Sequence, residues 1–266
     1  MAKWTNEGAN DGIITFRLSS WSHFFDFLED ELFSNTTYSK RTYIWRGQRR
    51  ADWSLSTTLD RLFDRLGILL EASQKIEEKS NEHLSAFKYA ARGRRGTNPA
   101  VLSENEWWAL GQHFGLATPL LDWTRSPFAA AYFAFEELAA DHTPSRVVYA
   151  LDQLAVIRKN EELGPSLGSG RLPTIEFIEP LSDDNQRLVS QGGCFTRAPV
   201  GVPIETWISR AFEASPEPIL WRIETPDADR AICLRALNRM NINHLSLFPD
   251  LSGASRSTNL KMELEI

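Results

Sequence analysis

Cysteine is scarce in this 266-residue chain: Cys194 and Cys233 are its two, and no Cys-x-x-Cys spacing joins them. That removes a disulfide framework and a thiolate zinc site as organising features, and it fits a reducing compartment. Positive charge is in deficit, 29 Lys and Arg against 35 Asp and Glu for a net charge of −6, so the surface as a whole does not attract nucleic acid. No apolar run reaches membrane-spanning length, and the opening MAKWTNEGAN lacks the apolar centre of a signal peptide. The expectation is a cytoplasmic protein without a membrane partner. Also missing are Gly-x-Gly-x-x-Gly, a P-loop and Gly-x-Ser-x-Gly, so neither a dinucleotide fingerprint nor a nucleophile elbow is present. No ligand spacing among the histidines and acids supports a metal site.

Aromatics, by contrast, are plentiful. Fifteen Phe and nine Trp, with 42% apolar and 24% charged residues, describe a globular chain able to bury a large core. GIITFRL reads as a strand and SSWSHFFDFLEDELF as a helix; TYIWRG is a second strand, stopped at Gly47. A helix with Leu59, Leu62, Phe63 and Leu66 on one face closes at Gly67, and Glu71 to Tyr89 is helical and charged. Ser103 and Glu106 form a capping box, and Ser126-Pro127 opens a helix whose core face is Phe128, Tyr132, Phe135 and Leu138. RVVYAL, the Gly192-Gly193 region, PILWRIE and HLSLFPDL read as strands, 158–175 as a loop, and Thr225-Pro226 as the start of a helix reaching Met240. Strands and helices mix without regular alternation, which predicts an α+β fold of mixed sheets with peripheral helices.

Three clusters carry candidate chemistry. Arg46, at a strand end before Gly47 and Gln48, suits a bidentate grip on phosphate, with Trp45 and Trp53 as flat surfaces for a ring. The alternative is an Arg paired with a carboxylate such as Asp122. His113, Thr118, Asp122, Thr124 and Ser126 place polar groups in an apolar stretch, and buried polar groups must satisfy one another or a ligand. Each also has a structural reading, Ser126 as a helix cap and His113 as a helix-end residue. Gln191 beside two glycines is a turn residue or a ligand contact. Two basic runs, Lys40 to Arg50 and RGRRG at 92–96, are solvated faces or phosphate contacts.

The motifs Trp45-Arg46-Gly47-Gln48, His113-Phe114-Gly115-x-x-Thr118-Pro119-Leu120-Leu121-Asp122-Trp123-Thr124-x-Ser126-Pro127, Asn185-x-Arg187-x-x-x-Gln191-x-Gly193-x-Phe195-Thr196 and Phe248-Pro249-Asp250-Leu251 together resemble the FRG domain family, over residues 20–255. Trp45 stands where that family carries Phe or Tyr. The resemblance implies one domain over 1–266, with a core of about 12–255 and a helical insertion at 67–102. It also implies a setting of anti-phage defence or toxin function, with a partner or antitoxin protein.

More distantly, the order of blocks resembles the ADP-ribosyltransferase fold. The resemblance implies NAD as substrate, held by Arg46, Gly47, Gln48, His113, Trp123 and Thr124, with Arg46, Asp122, Ser126 and Gln191 as the catalytic set. Where such a transferase carries a catalytic Glu, this chain has Asn185, Gln186 and Arg187. That makes Asp122 the first substitute carboxylate, with Glu176 and Asp250 behind it. The implied activity is NAD-dependent ADP-ribosyl transfer to a protein or nucleic-acid acceptor, or NAD glycohydrolysis. A non-catalytic nucleotide or nucleic-acid sensor is the alternative, and a polar cluster that merely braces the core is the third reading.

Overall fold

The computed structural model describes residues 2–35, 37–38, 40–138, 143–164, 174–180 and 189–264. Eight strands form one mixed sheet: β1 (Trp4–Asn10), β2 (Ile13–Leu18), β3 (Tyr43–Gln48), β4 (Leu120–Thr124), β5 (Ser145–Asp152), β6 (Glu176–Ile178), β7 (Gly193–Arg197) and β8 (Leu220–Pro226). Their spatial order is β1-β2-β8-β5-β3-β4-β7-β6. Of the described pairings β2 with β8 is parallel and the rest are antiparallel. The α+β expectation holds.

The helices are α1 (Phe24–Phe27, continuing as a π-helical turn to Phe33), α2 (Thr58–Arg65), α3 (Ser73–Ala90), α4 (Glu104–His113), α5 (Pro127–Phe135), α6 (Gln153–Leu163), α7 (Ile204–Ala211), α8 (Arg230–Arg239), α9 (His244–Leu247) and α10 (Leu251–Leu264). Local chemistry starts several of them. Thr57 with Asp60 and Ser103 with Glu106 make complete capping boxes, and the Ser126 hydroxyl accepts from the Ala129 amide, with Pro127 at the first helical position.

Packing follows strand alternation. Along β3, Tyr43 and Trp45 face one core, with Phe16, Phe24, Phe27, Tyr132, Phe135 and Trp221, while Ile44 faces another, with Trp123, Val147, Tyr149 and Trp207. A third cluster, Leu59, Phe63, Leu84, Trp108, Leu120 and Phe195, seats α2, α3 and α4. Helix α5, PFAAAYFAF, has no polar face and is buried nearly all round. Two buried arginines satisfy the carbonyls at its C-terminal end: Arg146 Nη1 donates to Ala134 O and Glu137 O at 2.6 and 2.8 Å, and Arg230 Nε donates to Phe135 O at 2.8 Å.

The structure corrects several sequence expectations. HLSLFPDL is not a strand. Asn243 and Ser246 form a capping box that starts α9, and the following segment enters α10. Residues 158–163 are the end of α6, and Gly164 follows with φ 68°; positions 165–173 of the expected loop lie outside the described residues. The helix expected from Thr225-Pro226 begins only at Arg230, because β8 runs to Pro226. Strand β1 is a solvent-facing edge strand with little apolar signal, and its hairpin to β2 turns on Asp11 and Gly12, both at positive φ.

Candidate functional site

The alternation that faces Trp45 and Gly47 towards α5 turns Arg46 and Gln48 to the other side of β3. Gly47 is required by packing. A Cβ there would overlap the Ala130 carbonyl oxygen and lie 2.6 Å from the Ala134 nitrogen, so the α5 backbone rests directly on the strand. The backbone that approaches Gly47 closely is that of α5. Trp45, 2% exposed, is a core residue with no free ring face.

Beyond Trp45 the strands β3 and β4 part. Their described ladder consists of one pair, Trp45 opposite Thr124. In the gap that follows, Arg46 Nη1 donates to the Asp122 main-chain carbonyl at 2.7 Å. The Asp122 carboxylate lies farther away, its Oδ2 3.8 Å from Arg46 Nη1. Arg46 Nε is buried without a hydrogen-bond partner. Burial lowers the guanidinium's pKa from its ordinary value, with Arg61 adding to the shift and Asp122 opposing it. Arginine stays charged regardless, so the site holds a partly desolvated cation, its side chain 20% exposed and its Nε closed to solvent.

That cation lines a cleft of about 860 Å³, at the end of β3, walled by Gln48, Arg49, Asp52, Trp53, Ser54, Ser56, Asp60, Arg61, Asp64, Leu69, Phe133, Gly201 and Pro203. Gln48 donates through Nε2 to the Trp53 carbonyl at 3.0 Å and so holds the loop that presents Trp53. The Trp53 ring is 44% exposed, with the guanidinium groups of Arg49 and Arg50 5.4 and 5.9 Å from its centroid. Glu205 ties the same loop to α7 by accepting from the Leu55 amide through both oxygens, 2.9 and 3.0 Å away. Burial raises the Glu205 pKa.

The charges lining the cleft differ in availability. Arg49 pairs with Glu137, and Asp52 with Arg50. Asp60 accepts from the Thr57 and Gly201 amides, one on each oxygen. Arg61 donates to the Ser56 carbonyl at 2.7 Å and has no carboxylate partner among the described residues. Arg46 and Arg61 are thus the cations left to meet an anion, beside one exposed indole.

The remaining predicted residues are placed as follows. The Asp122 side chain is exposed, its Oδ1 accepting from Gln112 Nε2 at 2.7 Å. The Thr124 hydroxyl donates to Gln191 O at 2.5 Å, and Gln191 Nε2 donates to Leu247 O at 3.1 Å. Ser126 caps α5. Trp123 is buried, its indole N–H donating to Thr196 Oγ1 at 2.8 Å, which leaves no ring face for stacking. His113 lines a separate cleft between α3 and α4, against Phe114. Of the reserve carboxylates, Glu176 accepts from Asn105 Nδ2 at 3.1 Å, and Asp250 accepts from Ser252 Oγ and the Gly253 amide at 2.8 and 2.9 Å. Asn185, Gln186 and Arg187 lie outside the described residues. The lining therefore brings together Arg46, Gly47, Gln48 and the Trp53 ring of the predicted residues, and adds Arg61 and Phe133. Arg61 sits on the exposed side of α2 and looks like any solvated helix charge; nothing short of the fold joins it to Arg46.

Among the described residues no group of three or more His, Cys, Asp and Glu side chains is placed to hold a metal ion, and no helix is long and apolar enough to cross a membrane. Cys194 and Cys233 are free thiols, both buried. An FRG domain occupies residues 41–143, the span matched by the FRG family model. It contains β3, α2 to α5 and the lining residues of the cleft up to Phe133; the motif blocks at 185–196 and 248–251 lie beyond it. No curated protein and no solved structure matches the chain.

Proposed function

We propose that the Arg46 cleft binds NAD and that the protein is an ADP-ribosyltransferase-like effector which cleaves it. The observation that carries this reading is the Arg46 guanidinium, its side chain 20% exposed, lining a cleft of about 860 Å³ that also presents Arg61 and the Trp53 ring. That volume lies within the roughly 300–1,000 Å³ usual for small-molecule sites. Arg46 and Arg61 would take the pyrophosphate through charge-assisted hydrogen bonds, and Trp53 would stack on a ring. Arg46, the Thr124–Ser126 corner and the Gln191 turn lie on or beside the neighbouring strands β3, β4 and β7.

In the reaction the bond from the nicotinamide-ribose C1′ to the ring nitrogen breaks, and its electron pair leaves with neutral nicotinamide. The cationic sugar is then captured by an acceptor nucleophile, or by water, whose proton passes to a base. Asp122, next to Arg46 across the strand gap, is the carboxylate assigned to stabilise the sugar. Ser126 and Gln191 complete the catalytic set carried over from the resemblance. A role in phage defence or as a toxin, with a restraining partner protein, follows from the FRG resemblance.

A second reading, a nucleotide sensor without catalysis, is favoured by one observation: Asp122 Oδ1 is already held by Gln112, and Asp122 is not among the cleft's lining residues. One experiment separates the two. Purified protein is titrated with NAD by calorimetry, and released nicotinamide is measured with and without cell extract, beside Arg46→Ala. Binding with release, both lost in the variant, supports the transferase. Binding with NAD recovered intact supports the sensor. No binding by the wild type rejects both.

A further inference from the structure

The RGRRG run and the groove beside it take no part in the Arg46 cleft. Arg92, Arg94 and Arg95 close the loop after α3, and none has a carboxylate partner among the described residues. Their contacts are with carbonyls and rings. Arg92 Nε donates to Tyr89 O at 3.2 Å, Arg94 Nη1 to Ala90 O and Arg95 Nη2 to Ala100 O at 2.6 Å, and Arg95 lies 4.6 Å from the Trp107 ring centroid. In a chain of net charge −6, three adjacent uncompensated cations are a local exception. Arg94 and Arg95 edge an apolar groove of about 1210 Å³ whose floor is Phe87, Ala91, Leu102 and Leu110. Val101, 99% exposed, and Phe114, 74% exposed, form its lips.

The opposite pattern is displayed elsewhere on the same molecule. Helix α1 and its π-helical extension expose Phe25 and Phe33, with the exposed Glu29 and Asp30 between them. Neither acid makes an ion pair among the described residues. Phe25, Glu29 and Phe33 recur every fourth position, which brings them to about the same side of this short helical segment. Apolar anchors interrupted by acids match an apolar groove edged by arginines, in the manner of an amphipathic helix laid into a groove.

We propose that the α3–α4 groove receives the Phe25–Phe33 segment of a second copy of this chain. The contact is head to tail, since groove and segment are different surfaces, so it propagates copies into a ring or an open chain and does not stop at a two-fold dimer. Nucleic acid fits the groove less well, because its apolar floor and lips offer nothing to a phosphate backbone. The inference is independent of what occupies the Arg46 cleft.

The test uses the full chain in low salt, with mass followed by light scattering across a concentration series. Wild type is expected to grow in mass with concentration, and high salt to reverse it. A groove variant with Arg92→Glu, Arg94→Glu and Arg95→Glu, and a segment variant with Glu29→Lys and Asp30→Lys, should each associate at least about tenfold more weakly. Mixing the two variants restores opposite charge at both contacts and should restore growth. Val101→Asp, at a fully exposed lip, should weaken association while leaving the melting curve unchanged, which guards against misfolding of the multiple variants. Wild type that stays monomeric to its solubility limit overturns the proposal, as do variants that assemble like wild type or mixtures that fail to recover. If a labelled single-stranded oligonucleotide binds and the groove variant abolishes binding while self-association persists, the arginines serve nucleic acid and the proposal fails.

Discussion

Arg46 and Asp122 are joined through the backbone before they are joined by charge: the guanidinium donates to the Asp122 carbonyl at 2.7 Å, while the carboxylate stands 3.8 Å off. The position of Arg46 therefore does not depend on the acid. Asp122→Asn should leave NAD affinity within about threefold and stability within about 0.5 kcal/mol, since an exposed pair contributes little. If Asp122 serves the chemistry, nicotinamide release should fall by roughly two orders of magnitude in the same variant. Calorimetry beside a turnover assay reads both quantities.

Arg46→Lys should not rescue Arg46→Ala. An ammonium carries the charge but lacks the planar fork that can hold the Asp122 carbonyl and an anion together. Both variants should lose about tenfold or more in affinity for NAD. A lysine variant that binds like wild type would show that only charge is used.

Gly47→Ala is expected to be strongly destabilising. The added methyl has no space, because the α5 backbone occupies it, and one of two buried elements must shift. A loss of about 3 kcal/mol or more, or failure to fold, follows from overpacking of that kind, and chemical denaturation measures it.

Ser126→Ala should lower stability by about 1 kcal/mol through loss of the cap on α5. Turnover separates its two roles. A decrease in turnover beyond what the lost stability explains assigns the hydroxyl to the substrate as well.

Glu136 gives a pH dependence. Burial raises its pKa from 4.5 to about 7, assisted by Glu137 and opposed by Arg256 and Arg49. His244 Nδ1 lies 3.5 Å from its Oε2. The folded state therefore binds this proton more tightly than the unfolded state. Its contribution to stability is complete below about pH 4.5 and is lost as pH rises through about 7. Glu136→Gln should be more stable than wild type by roughly 1–3 kcal/mol at pH 8, with the difference vanishing below about pH 4.5. Thermal melts across that range check the sign.

What could be read from the chain beforehand was what neighbours in sequence decide. The caps at Ser103 and Ser126, the end of α2 before Gly67 and the strand through Arg46 all depend on residues within a few positions of one another. Gly47 was legible as a constraint but not as a contact, since the helix that fills its space begins 80 residues later in the chain at Pro127. HLSLFPDL misleads because a short apolar alternation fits either element, and the Asn243 cap outweighs it. The cleft was half visible. Arg46 and Trp53 announce themselves by their neighbours, whereas Arg61 and Phe133 come from two other segments and acquire meaning only when β3 ends among them.

The single bridge between Trp45 and Thr124 has a mechanical side. Five strands lie to one side of it and three to the other, and past that bridge the Arg46 side chain donates across the line. Anything that recruits this guanidinium also acts on the suture between the two halves. Occupancy of the cleft should therefore shift the breathing of the sheet, an expectation that amide exchange on the flanks of β3 and β4 would read.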